Sequence, residues 1–555
     1  MKKEKITTKL KWVLLLITST LLFLNSCQKQ TLKSENEAVI EPLPSFAKPN
    51  NNIPYQEGSR MLIGDSKINP YTVSNMMTAW NSLASSGTIS NTSNFVRTTH
   101  YYVKFKPQNS EQYEALHFDS AYALSDLPIE SKITMNGDYY HDPSLPDDVP
   151  TYQYTAVPVG HILPDSIPYE ILDNLYIPEK DGNFQYENGG TNDLFVDKLL
   201  NKAYAQTGNY EDTIALTNQT TTTASRYTPG GNINVFDTRL QGLIGMEGVR
   251  VEARRWFVIY SAYPDFNGNY RMNDSYKRPC NYSIWFGQDR FSVRHNVVNT
   301  TFWINGPKIT GDWNYTLNNS YQRFAGHVFR GGFRYHNKNI GGLGRPFRWF
   351  GIRTVYIAKD AVKSWSGENW MVFPVLRIAR YDSKGTEYNS DEVFSTTCHE
   401  TAHTSHVITM NAGVIQYSQV SGQLQESWPV GVEWFISHIE YSDRGVANYG
   451  EINYHPPSPP QYPNDYAYQY WSTNYSSDYT SLFINLVDRE NEIGQPFIGY
   501  LNGTVNDQVV GYTLRNIERR ILKHCYGISS LSTRLKTIKP LGVTDGQIDQ
   551  LLSFY

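Results

Sequence analysis

Cysteine is scarce in this chain, and its scarcity limits the architectures that the chain can adopt. The 555 residues contain four cysteines, Cys27, Cys280, Cys398 and Cys525, and no Cys-x-x-Cys pair. Disulfide-stapled folds and cysteine-rich zinc fingers both require more cysteines at closer spacings, so we exclude both. The chain is too long for one hydrophobic core, and its length predicts three or four domains.

Long apolar runs are also rare. The one clear run extends from Trp12 to Leu24, follows a lysine-rich segment, and is too short to span a bilayer comfortably. We interpret residues 1–26 as a secretion signal. The segment ends Leu24-Asn-Ser-Cys27, which resembles a bacterial lipobox. The resemblance implies lipidation of Cys27 and an outer-membrane lipoprotein at the periplasmic face or the cell surface.

Excess positive charge is absent as well. The formal net charge is −4, and residues 1–26 carry five lysines and one glutamate, so removing their net +4 leaves −8. An acidic protein repels a phosphate backbone, and we therefore expect no nucleic acid partner. The charged fraction of 18% and the hydrophobic fraction of 40% are typical of globular proteins. We expect a soluble body that a lipid tethers to the membrane.

Composition changes along the chain predict a multidomain α+β fold. Residues 27–60 are polar and contain prolines, which is typical of a tether. Alternating apolar positions predict a mostly-β module at residues 61–180, with a short helix at 169–179. Residues 181–232 are expected to be a linker with one helix from Asp193 to Ala205.

The second half of the chain divides into two further predicted domains. Period-two alternation from Gly248 and a hairpin turn at Asp265 predict a small β-sandwich at residues 233–312. Residues 313–555 combine strand and helix patterns and are assigned to a mixed α/β–helical domain. The sandwich segments resemble carboxypeptidase-regulatory-like, transthyretin-type domains, and the Asp265 segment is then a structural turn. Residues 61–180 resemble an N-terminal module of Bacteroidetes surface lipoproteins, which implies no activity.

The clearest chemical pattern is His399-Glu400-Thr-Ala-His403. Residues four apart lie on one face of a helix, so His399 and His403 can direct two imidazoles at one ion. Hydrolytic zinc sites use three protein ligands and keep one position for water. Glu400 lies where its carboxylate can reach that water as a general base. Asn389 and Glu392 form a capping box that predicts where this helix begins.

The third ligand must come from another element, and Glu426 is the candidate. It lies 23 residues after His403, which leaves room for one helix to end and a second to return. Pro429 follows three residues later, and proline is tolerated mainly in the first turn of a helix. We therefore expect Glu426 at the start of its helix, and Glu433 is the alternative ligand.

This combination resembles the gluzincin class of zinc metallopeptidases, which includes thermolysin and the zinc aminopeptidases. HETAH matches the HExxH motif of the class, and Glu426-Ser-Trp with Glu433 is similar to the Asn-Glu-Gly-Phe-Ala…Glu segment of the aminopeptidases. Gln and Ser flank Glu426 where that segment has Asn and Gly. The resemblance implies a zincin-like domain that binds zinc and hydrolyses peptide bonds.

The resemblance also implies two elements that bind substrate. An edge strand upstream of the motif helix pairs with the substrate backbone in this class, and the strand expected from Val372 to Arg380 is the candidate. A tyrosine or histidine downstream of the third ligand stabilises the oxyanion, and here Tyr454 and His455 are the candidates.

Two neighbours of the motif are expected to have supporting roles. His406 lies seven residues after His399, about 10 Å along a helix axis, so one ion cannot easily bind both. The metzincin pattern requires Gly and His where this chain has His406 and Thr409, and we reject it. We expect His406 to orient a ligand or to pack. Cys398 lies off the ligand face and is expected to be a buried small hydrophobe.

The sequence as a whole predicts a lipid-anchored zinc metallopeptidase that acts on a protein or glycoprotein. One alternative is a mucin-cleaving peptidase of the enhancin-like type, which also uses HExxH and a distal Glu. Another is a non-catalytic surface protein that binds glycan or peptide through the sandwich and the Tyr-rich segment 442–480, with a structural or silent zinc. Removal of residues 28–230 as a pro-segment is a further possibility.

Overall fold

The structure, a computed structural model, is a mixed α/β protein with several sheets, which agrees with the multidomain α+β class. The described residues are 53–87, 96–181, 193–214, 225–296, 301–346, 353–362, 369–370, 375–382, 384–410, 414–446, 449, 478–489, 491 and 505–555. The signal segment, Cys27 and most of the predicted tether lie outside them. In these ranges, no helix has the length and apolar character needed to span a bilayer.

The described residues up to position 214 form two small antiparallel sheets with helices packed on them. The larger sheet has the strand order β4-β2-β5, and the smaller pairs β1 with β3. The bounds are β1 Leu62–Ser66, α1 Val73–Ser85, β2 His100–Phe105, α2 Ser110–Leu116, β3 Ser131–Met135, β4 Gln153–Pro158, β5 Tyr169–Leu175 and α3 Asp193–Gln206. The helix predicted from Asp193 to Ala205 is confirmed as α3.

The helix predicted at residues 169–179 is wrong, because β5 occupies this segment. β5 pairs antiparallel with β2 over its whole length, with Tyr169 opposite Phe105. The centroids of the Phe105 and Tyr169 rings lie 6.2 Å apart, and such cross-strand contacts stabilise extended backbone. β5 lies at the edge of its sheet and exposes most of its side chains, so it lacks the alternating pattern of a half-buried strand.

Two four-stranded sheets follow and share one apolar core. The first has the order β10-β6-β14, with β7 also paired to β6, and the second has the order β13-β11-β8-β9. The bounds are β6 Gly230–Asp237, β7 Gly242–Gly245, β8 Arg250–Arg255, β9 Val258–Ala262, β10 Asn269–Arg271, β11 Cys280–Trp285, β12 Phe291–Arg294, β13 Trp303–Ile309 and β14 Tyr315–Leu317.

Strand pairing crosses the domain boundary that the sequence predicts at residue 312. β14 lies after this boundary and pairs in parallel with β6, whereas β12 lies before it and joins the next sheet. Parallel pairing joins segments that are distant along the chain, so changes in composition do not reveal it.

The C-terminal part combines one more sheet with a group of helices. The sheet has the order β12-β15-β17-β16, in which β15 pairs in parallel with both neighbours. The strands are β15 Thr354–Val362, β16 Asn369–Trp370 and β17 Val375–Tyr381. The helices are α4 Ser320–Asn337, α5 Ser390–Thr409, α6 Val414–Tyr417, α7 Gly422–Asp443, α8 Leu482–Asn485, α9 Leu514–Asn516, α10 Ile528–Thr537 and α11 Asp545–Leu552.

The candidate edge strand for substrate corresponds to β17. It begins at Val375, and the predicted residues before it lie outside the described part. β16 pairs with the first two residues of β17. Among the described residues, this edge of β17 is therefore open to a further strand only after Leu376. An isolated bridge from Tyr381 to Glu387 covers its far end.

A second apolar core lies behind α5 and α7. Residues near the C-terminus supply much of it, including Leu514, Ile517, Ile521 and Cys525, which are all buried. Val510, four residues before Leu514, is 42% exposed and lies outside this core. A capping box formed by Thr544 and Gln547 begins α11. This core fixes the two helices that carry the candidate ligands.

Candidate metal centre

α5 carries HETAH and is buried along most of its length. Asn389 and Glu392 form the predicted capping box, in which the Asn389 backbone N–H donates to Glu392 at 2.8 Å. α4 packs closely on α5 at Gly331, where an added Cβ would lie 2.8 Å from the Cβ of Thr397. Cys398 faces the same helix, with Sγ 3.8 Å from the Gly331 carbonyl oxygen. Cys398 therefore points away from the ligands.

The structure brings His399, His403 and Glu426 together. One candidate ligand atom from each lies within 4.8 Å of the other two. Oε2 of Glu426 is 3.3 Å from Nε2 of His399 and 3.4 Å from Nε2 of His403. Two ligands that each lie about 2.0–2.1 Å from a tetrahedral ion are separated by about 3.3–3.5 Å. The two Glu426 distances therefore match ligands of one common ion, and imidazole and carboxylate are donor types that bind metal ions.

Glu426 does not lie where the proline argument placed it. α7 begins at Gly422, so Glu426 is in its second turn and Pro429 lies inside the helix. The expectation that Glu426 starts its helix is wrong. Proline removes one backbone donor and disfavours the helix interior, but the apolar packing of α7 on α5 outweighs this local preference.

Glu433 lies two turns further along α7 and reaches the other side of the His399 ring. Its Oε2 is 3.1 Å from Nδ1 of His399, whereas Glu426 lies at Nε2. The group of ligand atoms found among the described residues includes Glu426 and not Glu433. A carboxylate at Nδ1 holds the ring so that Nε2 is available to a metal.

The charged forms of His399 and Glu426 stabilise each other. Burial opposes the charged form of His399, but the carboxylates of Glu433 and Glu426 raise its pKa to about 10. Burial also opposes ionisation of Glu426, yet the two imidazoles hold its pKa well below the usual range. Histidine and carboxylate ligands bind metal in their deprotonated forms, so a divalent cation would take the place of these protons.

Glu400 is the one buried acid of α5 beside the ligands that has no hydrogen-bond partner. It is 1% exposed, and neither carboxylate oxygen has a partner in the described part of the chain. Burial raises its pKa. An unpaired buried carboxylate is unfavourable unless the site uses it. A higher pKa also brings a carboxylate closer to the value that suits a general base near neutral pH.

Two tyrosines contact the ligands and were missed by sequence reasoning. The Tyr417 hydroxyl lies 3.0 Å from Nδ1 of His403. The Tyr479 ring stacks on the His399 ring, with centroids 5.9 Å apart and planes at 19°. Ser427, next to Glu426, donates to the Asp478 carbonyl oxygen at 3.1 Å and so anchors the turn that carries Tyr479. No motif marks either tyrosine, because tertiary packing brings both to the site.

The remaining candidates do not join the ligand atoms. His406 is fully buried, and its ring packs in a T-shaped arrangement with the Tyr417 ring, with centroids 5.1 Å apart. Burial and the neighbouring His403 lower the pKa of His406 to about 3, so it is neutral. It packs beside the site, which is one of the two roles expected for it. Tyr454 and His455, the candidate oxyanion donors, lie outside the described residues.

Comparisons with known protein families, with curated proteins and with solved structures give no match for this chain. The chemistry of the site is therefore inferred from its geometry.

Proposed function

We propose that this protein is a zinc-dependent peptidase of the gluzincin type. The observation that carries the proposal is the position of Glu400, a buried and unpartnered carboxylate beside three side chains at ligand spacing. Two imidazoles and one carboxylate are the donor set of hydrolytic zinc sites such as that of thermolysin. In a purely structural zinc site, a buried acid without a partner would serve no purpose.

The residues of the site have separate tasks in this proposal. Bound zinc would supply a Lewis acid that polarises the scissile carbonyl and favours loss of a proton from water. One carboxylate oxygen of Glu400 accepts that proton and then passes it to the leaving amine. Glu433 orients His399 through Nδ1, and Tyr479 covers one face of the same ring.

The finer domain assignment belongs to the same proposal. Residues 313–555 form the zincin-like catalytic domain, with β12 contributed from the preceding segment. The transthyretin-like sheets and the N-terminal module flank this domain, and lipidated Cys27 anchors the chain to the outer membrane. The substrate is a protein or a glycoprotein outside the cytoplasm.

Two glutamates on one helix allow a matched test of the metal site. We expect about one zinc per chain in the wild type, because three ligands and one open position make a single site. Glu426→Ala should lose this zinc, whereas Glu433→Ala should keep it with affinity about 10- to 100-fold weaker. Metal content after dialysis, measured by mass spectrometry, distinguishes the two variants.

The opposite pattern, with zinc lost only in Glu433→Ala, would make Glu433 the third ligand. A wild type without zinc at neutral pH would overturn the metal site. In the wild type we also expect a chelator to stop hydrolysis of a protein substrate and added zinc to restore it.

A polar cleft supports the second candidate function, a non-catalytic surface protein that binds glycan or peptide. The cleft is broad and open to solvent, has a volume of about 480 Å3, and lies on the sheet that contains β6. Its lining includes Asn232, Asn269, Arg271, Asp312 and Asn314. Amide and guanidinium groups suit hydrogen bonding to sugar hydroxyls. Bound metal does not distinguish the two functions, whereas hydrolysis that depends on Glu400 does.

A further inference from the structure

The segment between the two ligand helices brings a tyrosine to His403. Tyr417 ends α6, is 5% exposed, and places its hydroxyl 3.0 Å from Nδ1 of His403. The other ring nitrogen, Nε2, faces Glu426 at 3.4 Å. When Nε2 binds a metal, Nδ1 carries the proton and donates it to the Tyr417 oxygen. This contact is independent of the Glu433 contact on the other ligand.

Tyr417 is itself held from two directions. Its carbonyl oxygen accepts a hydrogen bond of 2.8 Å from Nε2 of Gln425, the residue immediately before Glu426. The same amide also donates to the Val420 carbonyl oxygen at 3.1 Å. The planes of the His406 and Tyr417 rings meet at an angle of 81° in a T-shaped contact. The helix that supplies Glu426 therefore also fixes the tyrosine that contacts His403.

A neutral phenol is a suitable partner for Nδ1 of His403 because the site already contains several carboxylates. Glu426 and Glu433 already place two carboxylates next to the imidazoles of His399 and His403. Glu400 lies on the same helix as these two histidines. A further carboxylate at Nδ1 of His403 would add negative charge to a buried cluster, which is unfavourable. A phenol accepts the Nδ1 proton without adding charge.

We propose that Tyr417 is a positioning residue that presents Nε2 of His403 to the metal, as Glu433 does for His399. The proposal rests on the metal site proposed above and names a further residue of that site. In this role Tyr417 acts only through His403.

The test replaces Tyr417 with phenylalanine, which keeps the ring and removes the hydroxyl. We expect zinc affinity to fall about 10- to 100-fold, as is typical when a hydrogen-bond partner of a metal ligand is lost. Affinity is measured on the full chain by competition with a chromophoric chelator. The visible spectrum of the cobalt-substituted protein should also change, because the imidazole is no longer held in one orientation.

Tyr356→Phe is the matched control. The Tyr356 hydroxyl is fully buried and lies 2.8 Å from Oγ1 of Thr401, which is on α5 but is not a ligand. Both variants remove a buried tyrosine hydroxyl bonded to the same helix. The Tyr356 hydroxyl also lies 3.0 Å from Nε2 of His336, so metal-free Tyr356→Phe should lose at least as much stability as metal-free Tyr417→Phe. Tyr356→Phe should keep the wild-type zinc affinity and cobalt spectrum.

Each outcome decides a different question. Weaker zinc binding and an altered cobalt spectrum in Tyr417→Phe alone support the positioning role. Wild-type affinity in Tyr417→Phe overturns that role and leaves the metal site intact. An equal loss of affinity in both variants also overturns it, because disturbed helix packing would then be the cause. Absence of zinc in the wild type removes the metal site itself, whatever the behaviour of the variants.

Discussion

Glu400→Gln should keep zinc bound and lower kcat/KM for a protein substrate by about two to four orders of magnitude. Glutamine has the shape of glutamate but cannot accept the proton of the attacking water. Glu400 does not share the ligand positions of His399, His403 and Glu426, so the metal should remain. The measurement compares hydrolysis rates and zinc content for the same preparations.

Glu392→Gln is a suitable control for this variant. Glu392 is on the same helix and closes the capping box with Asn389, a role that glutamine also fills. Its activity should match the wild type. Unchanged hydrolysis in Glu400→Gln would contradict the assigned base. Loss of zinc in this variant would show instead that Glu400 supports the metal. A wild type that binds zinc but cleaves no protein would favour the surface-binding function.

The parts of the site that the sequence predicts are those that depend on helix geometry. His399, Glu400 and His403 lie on one helix, where spacing alone decides which side chains share a face. Glu426 could be proposed because its distance along the chain permits a returning helix. Tyr417 and Tyr479 could not be proposed, because they lie near the ends of connecting segments whose positions depend on tertiary packing.

Local preferences failed where tertiary contacts opposed them. Pro429 predicted a helix start, but the buried face of α7 continues through it. The edge strand β5 lacks a periodic apolar pattern and is defined by its pairing with β2. The sequence pattern predicted a domain boundary at residue 312. However, β12 pairs with β15 and β14 pairs with β6, and both pairs join strands on opposite sides of this position. In each case the deciding contact joins residues that are far apart in the sequence.

The N-terminal part of the chain is joined to the sheet that contains β12 and β15 by a buried ion cluster. Glu114 on α2 is 2% exposed and contacts the guanidinium groups of Arg294 and Arg353. Nε of Arg353 donates to Oε2 at 2.7 Å, and Nη2 donates to Oε1 at 3.2 Å. Arg294 ends β12 and Arg353 precedes β15, so one carboxylate joins α2 to two neighbouring strands of this sheet.

Glu114→Ala should therefore destabilise the protein by about 3–5 kcal/mol, because it leaves two buried guanidinium groups without their carboxylate. The measurement is the urea dependence of unfolding. Glu170→Ala provides the comparison, since Glu170 forms an ion pair of 2.8 Å with Lys106 at the exposed surface. Surface pairs contribute little, and this variant should unfold close to the wild-type midpoint.

The ion cluster of Glu114, Arg294 and Arg353 is also relevant to the hypothesis that residues 28–230 are a pro-segment that is removed. Tyr71, Trp80 and Tyr204 from the N-terminal part belong to the same buried core as Trp256 and Phe257 from the sandwich. Removal of the segment would expose this core and deprive Arg294 and Arg353 of Glu114. We therefore expect the module to stay attached in the active protein. If Glu114→Ala unfolds no more easily than Glu170→Ala, the cluster does not hold the module, and the pro-segment hypothesis regains support.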